Sequence, residues 1–373
     1  MEFSVFRQVL IRTLSHMQSI VEKRATLPIL SNVKLEVKDD LVLSATNVDL
    51  ELVERVKADI TLGGKITVPV QNLFDIVRKL PDDAEIRFKQ VDAGQVEVRS
   101  GRSVFKLPAL PAENFPMMAA TNLTTKFKMT TDDLAHLLNQ TKFAIPSDDV
   151  RYNLGGIYFH LTEEGSKSML TAVATDGQRM ALCAMPNPDG STGMPAVILP
   201  RRVIGELSKL LEDATVDDVQ LELSDSKAKF TLGGAVLTSK LVDAQYPNYR
   251  IVIPKSNERI AEMDRKFLSG AVDLVSVVCT DKTKSVNLQF SLNKLVISAS
   301  STEGGSAVQE MDIEYNSDET FNIIFNVKYL LDIVGQTQGD KIRFAMQDPL
   351  SPVLIKSTDK KTDTMFILIP MRG

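Results

Sequence analysis

The chain has 373 residues, 43% apolar and 24% charged, with a formal net charge of −5. That length exceeds one ordinary core and suits two or three soluble domains. The acidic balance excludes a protein coated in basic nucleic-acid-binding surface, although a local basic stripe stays open.

The opening MEFSVFRQVLIRTL carries Glu2, Arg7 and Arg12 and lacks the continuous apolar segment of a signal peptide. Phe6, Leu10, Leu14, Met17 and Val21 recur at helical spacing, and VKLEV (33–37), LVLSA (41–45) and ITVPV (66–70) alternate as strands do. NLFDIVRKL (72–80) predicts a second, short helix before further strands that end at Phe115-Pro116. A new cycle opens at Thr130, which has capping-box spacing to Asp133 ahead of Leu134, Leu137 and Leu138. Its short helix is RVIGELSKLL (202–211), and it ends at Tyr246-Pro247. The third cycle offers RKFLSGAVDLVSVV (265–278) and VKYLLDIVG (327–335) as helices. Its strands are VNLQFSL (286–292), KLVISAS (294–300) and FNIIF (321–325). MFILIPM (365–371) reads as a last core strand, too short to cross a bilayer. Cys183 and Cys279, the two cysteines, form neither a disulfide framework nor a zinc pattern, so a reducing, cytoplasmic setting is expected.

The cycles are copies of one another. DIVRKLPDDAEIRF (75–88) returns as DIVGQTQGDKIRF (332–344), with VIGELSKLLEDATVDDVQLEL (203–223) a weaker version between them. Ala45-Thr46 of LVLSATNVDLEL falls on Ala174-Thr175 of LTAVATDGQRMAL, and LVISASSTEG (295–304) is the third version. The expected architecture is α+β, three tandem copies of one domain at 1–124, 125–254 and 255–373. Each copy would have two helices and about eight strands.

Catalytic constellations are missing from the sequence. It has no phosphate-loop or dinucleotide fingerprint, no nucleophile elbow and no HExxH. Leu-Gly-Gly at 62–64, 154–156 and 232–234 reads as hairpin or bulge chemistry beside strands. His16 and His136 lie on helices without a second ligand at i+4, and His160 is expected to end a strand; all three read as structural. Asp82-Asp83, Asp148-Asp149 and Asp217-Asp218 would be the ligands of a metal-dependent phosphoesterase, yet turn signals around them favour solvated loops. No metal or cofactor is expected. ATDG (174–177) and its counterpart ATNV both suit a turn between strands. A peptide-binding repeat scaffold without DNA is the other competing class.

Basic residues gather on the helices, including Arg7, Arg12, Arg78, Lys79, Arg201, Arg202, Arg265, Lys266 and Lys328. Arranged about an axis, such helices would give a basic lining beneath an acidic exterior, able to meet phosphates without reading bases.

The motifs RATLPIL (24–30), FDIVRKLP (74–81), RSGRSVFKL (99–107), DVRYNLGG (149–156), VATDGQRMA (173–181), SKLVDAQYPNY (239–249), FNVKYLLD (325–332) and IPMRG (369–373) carry a resemblance. Together with the triplication, the chain resembles the bacterial sliding-clamp family, the DNA polymerase III beta subunits, over its whole length. The resemblance implies a non-catalytic processivity factor. It would be a head-to-tail homodimeric ring that encircles double-stranded DNA and is opened by a separate clamp loader. Its partners would be the DNA polymerase III alpha subunit, other DNA polymerases and repair proteins.

Carried over by position, the resemblance makes Arg24, Arg78, Tyr152, Arg201 and Arg202 DNA-facing. Gln71, Ser147 and Asp148 depart from the family's basic or neutral hydrogen-bonding groups. A partner-peptide pocket would use Leu154, Thr175, Gly177, Arg179, Met180, Pro247, Val252, Leu350, Leu368, Ile369, Pro370, Met371 and Arg372. Gln178 and Ile251 are departures there. The dimer interface would set Phe105 and Leu107, with Arg99 and Arg102 nearby, against Val277 and Val278. The acidic run opposite the arginines is thinned to TEGGSAVQE, which keeps Glu303 and Glu310.

Overall fold

The computed structural model describes residues 1–22, 27–119, 122–148, 150–165, 167–280, 284–303, 305–359 and 364–372. The first copy runs β1 (Glu2–Phe6), α1 (Arg7–Ile20), β2 (Asn32–Val37), β3 (Leu41–Thr46), β4 (Leu50–Val56), β5 (Asp59–Leu62), β6 (Gly64–Pro69), α2 (Val70–Lys79), β7 (Glu85–Asp92), β8 (Gln95–Ser100) and β9 (Ser103–Pro108). The second runs β10 (Thr125–Thr130), α3 (Thr131–Thr141), β11 (Gly156–Glu164), β12 (Lys167–Thr175), β13 (Arg179–Pro186), β14 (Val197–Pro200), α4 (Arg201–Glu212), β15 (Asp218–Leu223), β16 (Lys227–Leu232) and β17 (Ala235–Lys240). The third runs β18 (Arg259–Asp264), α5 (Arg265–Ser276), β19 (Ser285–Ser291), β20 (Lys294–Ser301), β21 (Gly305–Asp312), β22 (Glu314–Tyr315), β23 (Phe321–Asn326), α6 (Val327–Gln336), β24 (Lys341–Met346), β25 (Val353–Ser357) and β26 (Thr364–Leu368). Among the described residues each copy thus has two α-helices among antiparallel strands.

Local chemistry repeats with the copies. The opening amides of α1, α3 and α5, on Arg7, Thr131 and Arg265, donate to the carbonyls of Ala84, Asp217 and Asp340, each at 2.8 Å. Thr130 caps α3 by accepting from the Asp133 amide at 3.0 Å, and Asp264 caps α5 by accepting from that of Phe267 at 2.7 Å. Such caps satisfy amides that the first helical turn leaves free.

Two compact units emerge, and they cut through the middle copy. One is Met1–Ala135 with Pro188–Pro195 and Arg202–Leu241; the other is His136–Asn187 with Ala196–Arg201 and Val242–Gly373. The first unit holds a five-stranded sheet, β5-β1-β7-β8-β9, and an eight-stranded one, β10-β15-β16-β17-β4-β3-β2-β6. Leu10, Leu14, Met17 and Ile20 of α1 are fully buried there, and Phe3 stacks on Phe88 at 4.7 Å. Each such side chain contributes about 1.5–3 kcal/mol. The second unit holds a nine-stranded sheet, β14-β11-β12-β13-β26-β25-β24-β18-β22, and a four-stranded one, β21-β20-β19-β23. Phe290, Phe325, Phe344 and Phe366 fill its core.

Neighbouring copies are joined by strand pairing, which is why the units do not follow the copies. In the first unit β4 pairs with β17, from Leu50 opposite Ser239 to Glu54 opposite Ala235. In the second β13 pairs with β26, from Arg179 opposite Leu368 to Cys183 opposite Thr364. Raising every residue number of the first ladder by 129 reproduces the second.

Several local expectations are corrected. His160 lies inside β11, not at a strand end, because the strand runs on to Glu164. Asp218 opens β15, so that acidic pair is only half loop. Leu-Gly-Gly at 232–234 does turn a hairpin, with Gly233 at φ +54°. At 154–156 it does not: Gly156 opens β11 so close to β14 that a Cβ would lie 2.0 Å from the Leu199 carbonyl oxygen.

Candidate functional site

β12 and β13 are joined by Thr175-Asp176-Gly177-Gln178, in the second unit. The Thr175 hydroxyl accepts from the Gly177 amide at 3.1 Å and donates to the Arg179 carbonyl at 2.7 Å. Asp176 Oδ1 accepts from the amides of Gln178 and Arg179 at 2.9 and 3.0 Å. Gly177 completes the turn at φ +84°, a conformation that L side chains rarely adopt.

Arg179 fixes this turn in place. Its side chain is only 7% exposed, and its Nε donates to Asp176 Oδ2 at 3.1 Å. Nη1 reaches Asp332 Oδ2 on α6 at 2.5 Å, and Nη2 reaches the Phe143 carbonyl at 2.7 Å. The guanidinium also lies over the rings of Phe143 and Tyr329, at 5.1 and 4.5 Å. Burying a charge is tolerable only with such complete pairing. Arg179 is therefore a buried anchor of the turn among the expected pocket residues.

Around the turn the expected pocket residues separate into a floor and a rim. Leu154 and Met180 belong to one buried cluster with Val173, Leu182, Ile198, Tyr246, Tyr249 and Ile367. Leu368 is fully buried, Pro370 is buried and Ile369 half-buried. The Ile369 amide donates to the Gln178 carbonyl at 2.9 Å, and that of Met371 to the Ile324 carbonyl at 2.8 Å, which ties the tail down on both sides. Thr175 is half-buried, while Gly177, Pro247, Val252, Leu350, Met371 and Arg372 are exposed. An apolar floor with exposed apolar rim residues and a few fixed polar groups suits an extended peptide.

Sequence reasoning missed the aromatic file under this surface. Tyr246 stacks on Tyr158 at 4.7 Å, Tyr158 on His160 at 4.3 Å, and His160 Nε2 meets the Tyr249 hydroxyl at 3.0 Å. Burial, helped by the nearby Arg250 charge, pulls the His160 pKa down to about 4. It also missed Tyr329 and Asp332, although both stand in FNVKYLLD. Their helical spacing gave no sign of the arginine, which is 153 residues away in Asp332's case.

Among the DNA-facing candidates, Arg24 lies outside the described residues. Arg78 is exposed and pairs with Asp75 at 3.1 Å. Arg201 Nη1 donates to the Pro146 carbonyl at 3.1 Å, and Arg202 Nη2 to that of Ile20 at 2.6 Å. Tyr152 is exposed, with its hydroxyl on the Asp243 carbonyl. Two residues leave the expected basic stripe. Arg7 donates to the carbonyls of Val77 and Arg78 at the end of α2, and Arg265 makes the same contact with Val334 at the end of α6. These arginines cap helix C-termini.

On the interface candidates, Arg99 and Arg102 are exposed, and Arg99 pairs with Glu97. Glu303 is exposed, Val277 is 80% exposed, and Phe105 and Val278 are half-buried. Leu107 departs from expectation: the β9 alternation turns it into its own unit at 5% exposure. Val104, 46% exposed, and Val308 on β21, 63% exposed, were not singled out.

Fold and surface define a class: a tandem-copy α+β protein whose copies are joined by sheet pairing, with exposed apolar residues over a buried apolar cluster in the second unit. The family models for the N-terminal, central and C-terminal domains of the DNA polymerase III beta subunit match residues 1–119, 128–248 and 250–372. A beta sliding clamp of Caulobacter vibrioides is 40% identical over 374 residues, covering both chains completely. One of Pseudomonas putida is 36% identical with the same coverage. The crystal structure of a Bartonella birtlesii sliding clamp bound to griselimycin superposes with a TM-score of 0.96 at 40% identity, covering both chains completely. The chain belongs to the DNA polymerase III beta subunit family, the beta sliding clamps of DNA replication.

Proposed function

We propose that two copies of this chain close head to tail into a ring around duplex DNA and hold the replicative polymerase there. One observation carries the reading. The two in-chain junctions, β4 with β17 and β13 with β26, share one register. The counterparts in the remaining copies, β21 and β9, end their sheets with no strand beyond them among the described residues. An open edge of this kind is a template for pairing with another chain. Equivalent pairing sets Val104 of one copy opposite Val308 of the next, where the junctions have Val236 opposite Val53 and Met365 opposite Leu182. All three pairs are apolar.

The copies are assigned to 1–124, 125–254 and 255–373. In this reading Arg24, Arg78, Tyr152, Arg201 and Arg202 meet the DNA backbone, giving a grip that is independent of sequence. Tails of the polymerase alpha subunit, the clamp loader and repair proteins would lie on the surface of the second unit, over Leu154 and Met180 and against the exposed Pro247, Val252 and Met371. The chain performs no reaction of its own and works in the cytoplasm. The experiment is oxidative cross-linking of Val104→Cys with Val308→Cys in a Cys279→Ser background. A closed covalent dimer supports the ring, and failure to cross-link under conditions where the dimer is populated contradicts it.

A further inference from the structure

His16 lies on α1 in the first unit. It is 5% exposed, yet both ring nitrogens meet carboxylates: Nδ1 with Glu54 Oε1 at 2.8 Å, and Nε2 with Asp213 Oδ2 at 2.8 Å. Glu54 lies on β4 of the first copy, and Asp213 follows α4 of the second. A carboxylate oxygen only accepts, whereas a neutral imidazole donates from one nitrogen alone. Satisfying both contacts takes a proton on each nitrogen. We propose that His16 is held as an imidazolium and is a proton-dependent clasp between the first and second copies.

The neighbouring groups fit that assignment. On α1, Arg12 Nε lies 3.9 Å from Asp213. On β4, Arg55 is directed to Asp40 at 3.7 Å. On α4, Glu206 is taken by Ser19 and by Lys209 at 3.1 Å. The residues of β16, β17 and their turn that line the adjoining cavity of about 360 Å³ are Leu232, Gly233, Gly234 and Ala235, which bring no charge. Burial alone would pull the His16 pKa down; Glu54 and then Asp213 outweigh it, and the net shift is upward. Two further bonds, Ser19 to Glu206 and Arg202 to the Ile20 carbonyl, run across the same helix pair.

No other copy repeats the device. Aligning the buried rows Leu10-Leu14, Leu134-Leu138 and Leu268-Val272 puts Gln140 and Leu274 at the position of His16. A histidine clasp of this kind is thus found at one joint among the described residues.

The sign is set by a raised folded-state pKa. The clasp's stabilisation is complete below the unfolded histidine value, about 6.5, and is lost as pH rises through the folded value. The test is ¹⁵N NMR of the imidazole in the full chain, with hydrogen exchange of α1 and α4 amides, from about pH 6 to about pH 9. The expected result is a doubly protonated ring at neutral pH that titrates above about 6.5, with the protection of α1 and α4 amides, relative to their base-catalysed intrinsic exchange, falling over the same range. His16→Gln should show lower protection at low pH and lose the pH dependence of that protection. Asp213→Asn, at a half-exposed site, should keep the fold and lower the pKa. A neutral imidazole at neutral pH, or a pKa unmoved by Asp213→Asn, would overturn the proposal.

Discussion

Val48 and Gly177 occupy the same step of one turn in two copies, at φ +79° and +84°. In both, the hydroxyl two residues earlier (Thr46, Thr175) accepts that residue's amide, at 3.0 and 3.1 Å. The Asn47 and Asp176 side chains each accept two further amides. A β-branched residue in this region is strained, so the first copy tolerates what the second avoids with glycine. Gly177→Ala is expected to cost about 1–3 kcal/mol in urea unfolding. Val48→Gly should leave stability within about 1 kcal/mol of the parent or raise it, because relief of strain offsets the added chain freedom.

Removing the Arg179 guanidinium strands Asp176 and Asp332 and unstacks Phe143 and Tyr329. Arg179→Ala is expected to cost about 3–5 kcal/mol, the range for breaking a buried pair. Asp332→Asn should cost less, since that carboxylate is 33% exposed. Urea melts of both variants provide the check, and a negligible loss for Arg179→Ala would refute the anchor role.

His160 gives a pH dependence of opposite sign to that of His16. Its folded pKa is about 4, below the unfolded value, so the unfolded chain binds the extra proton as acid is added. Stability should fall between about pH 6.5 and about pH 4 and level off, for this group, below that. His160→Gln should remove this component in thermal melts at matched pH.

Peptide binding can be separated from folding at the rim. Val252 is 39% exposed, so Val252→Asp should leave the melting temperature nearly unchanged. It should weaken a short glutamine-and-leucine peptide at least tenfold in fluorescence anisotropy, about 1.4 kcal/mol. Unaltered affinity would move the peptide elsewhere.

Much of this was legible in the sequence, because repetition and periodicity are local. The offset of 129 between the ATNV and ATDG turns survives in hydrogen bonds, and Thr130 caps α3 as its spacing implied. What stayed hidden depends on distant strands and helices. Arg7 and Arg265 look like phosphate ligands until α2 and α6 bring their last carbonyls within reach. Leu107 looked like free interface because only the β8–β9 pairing turns it inward. The join between copies could not be read from composition either, since a ladder such as Glu54 opposite Ala235 closes a loop of 181 residues.

Two copies of the chain are expected to close around duplex DNA. The most direct measurement is retention of the chain, loaded by a matching clamp loader, on circular duplex DNA before and after one double-strand cut. Retention on the circle with escape after the cut is the expected result. Equal retention on both forms would mean ordinary adhesion and contradict the ring.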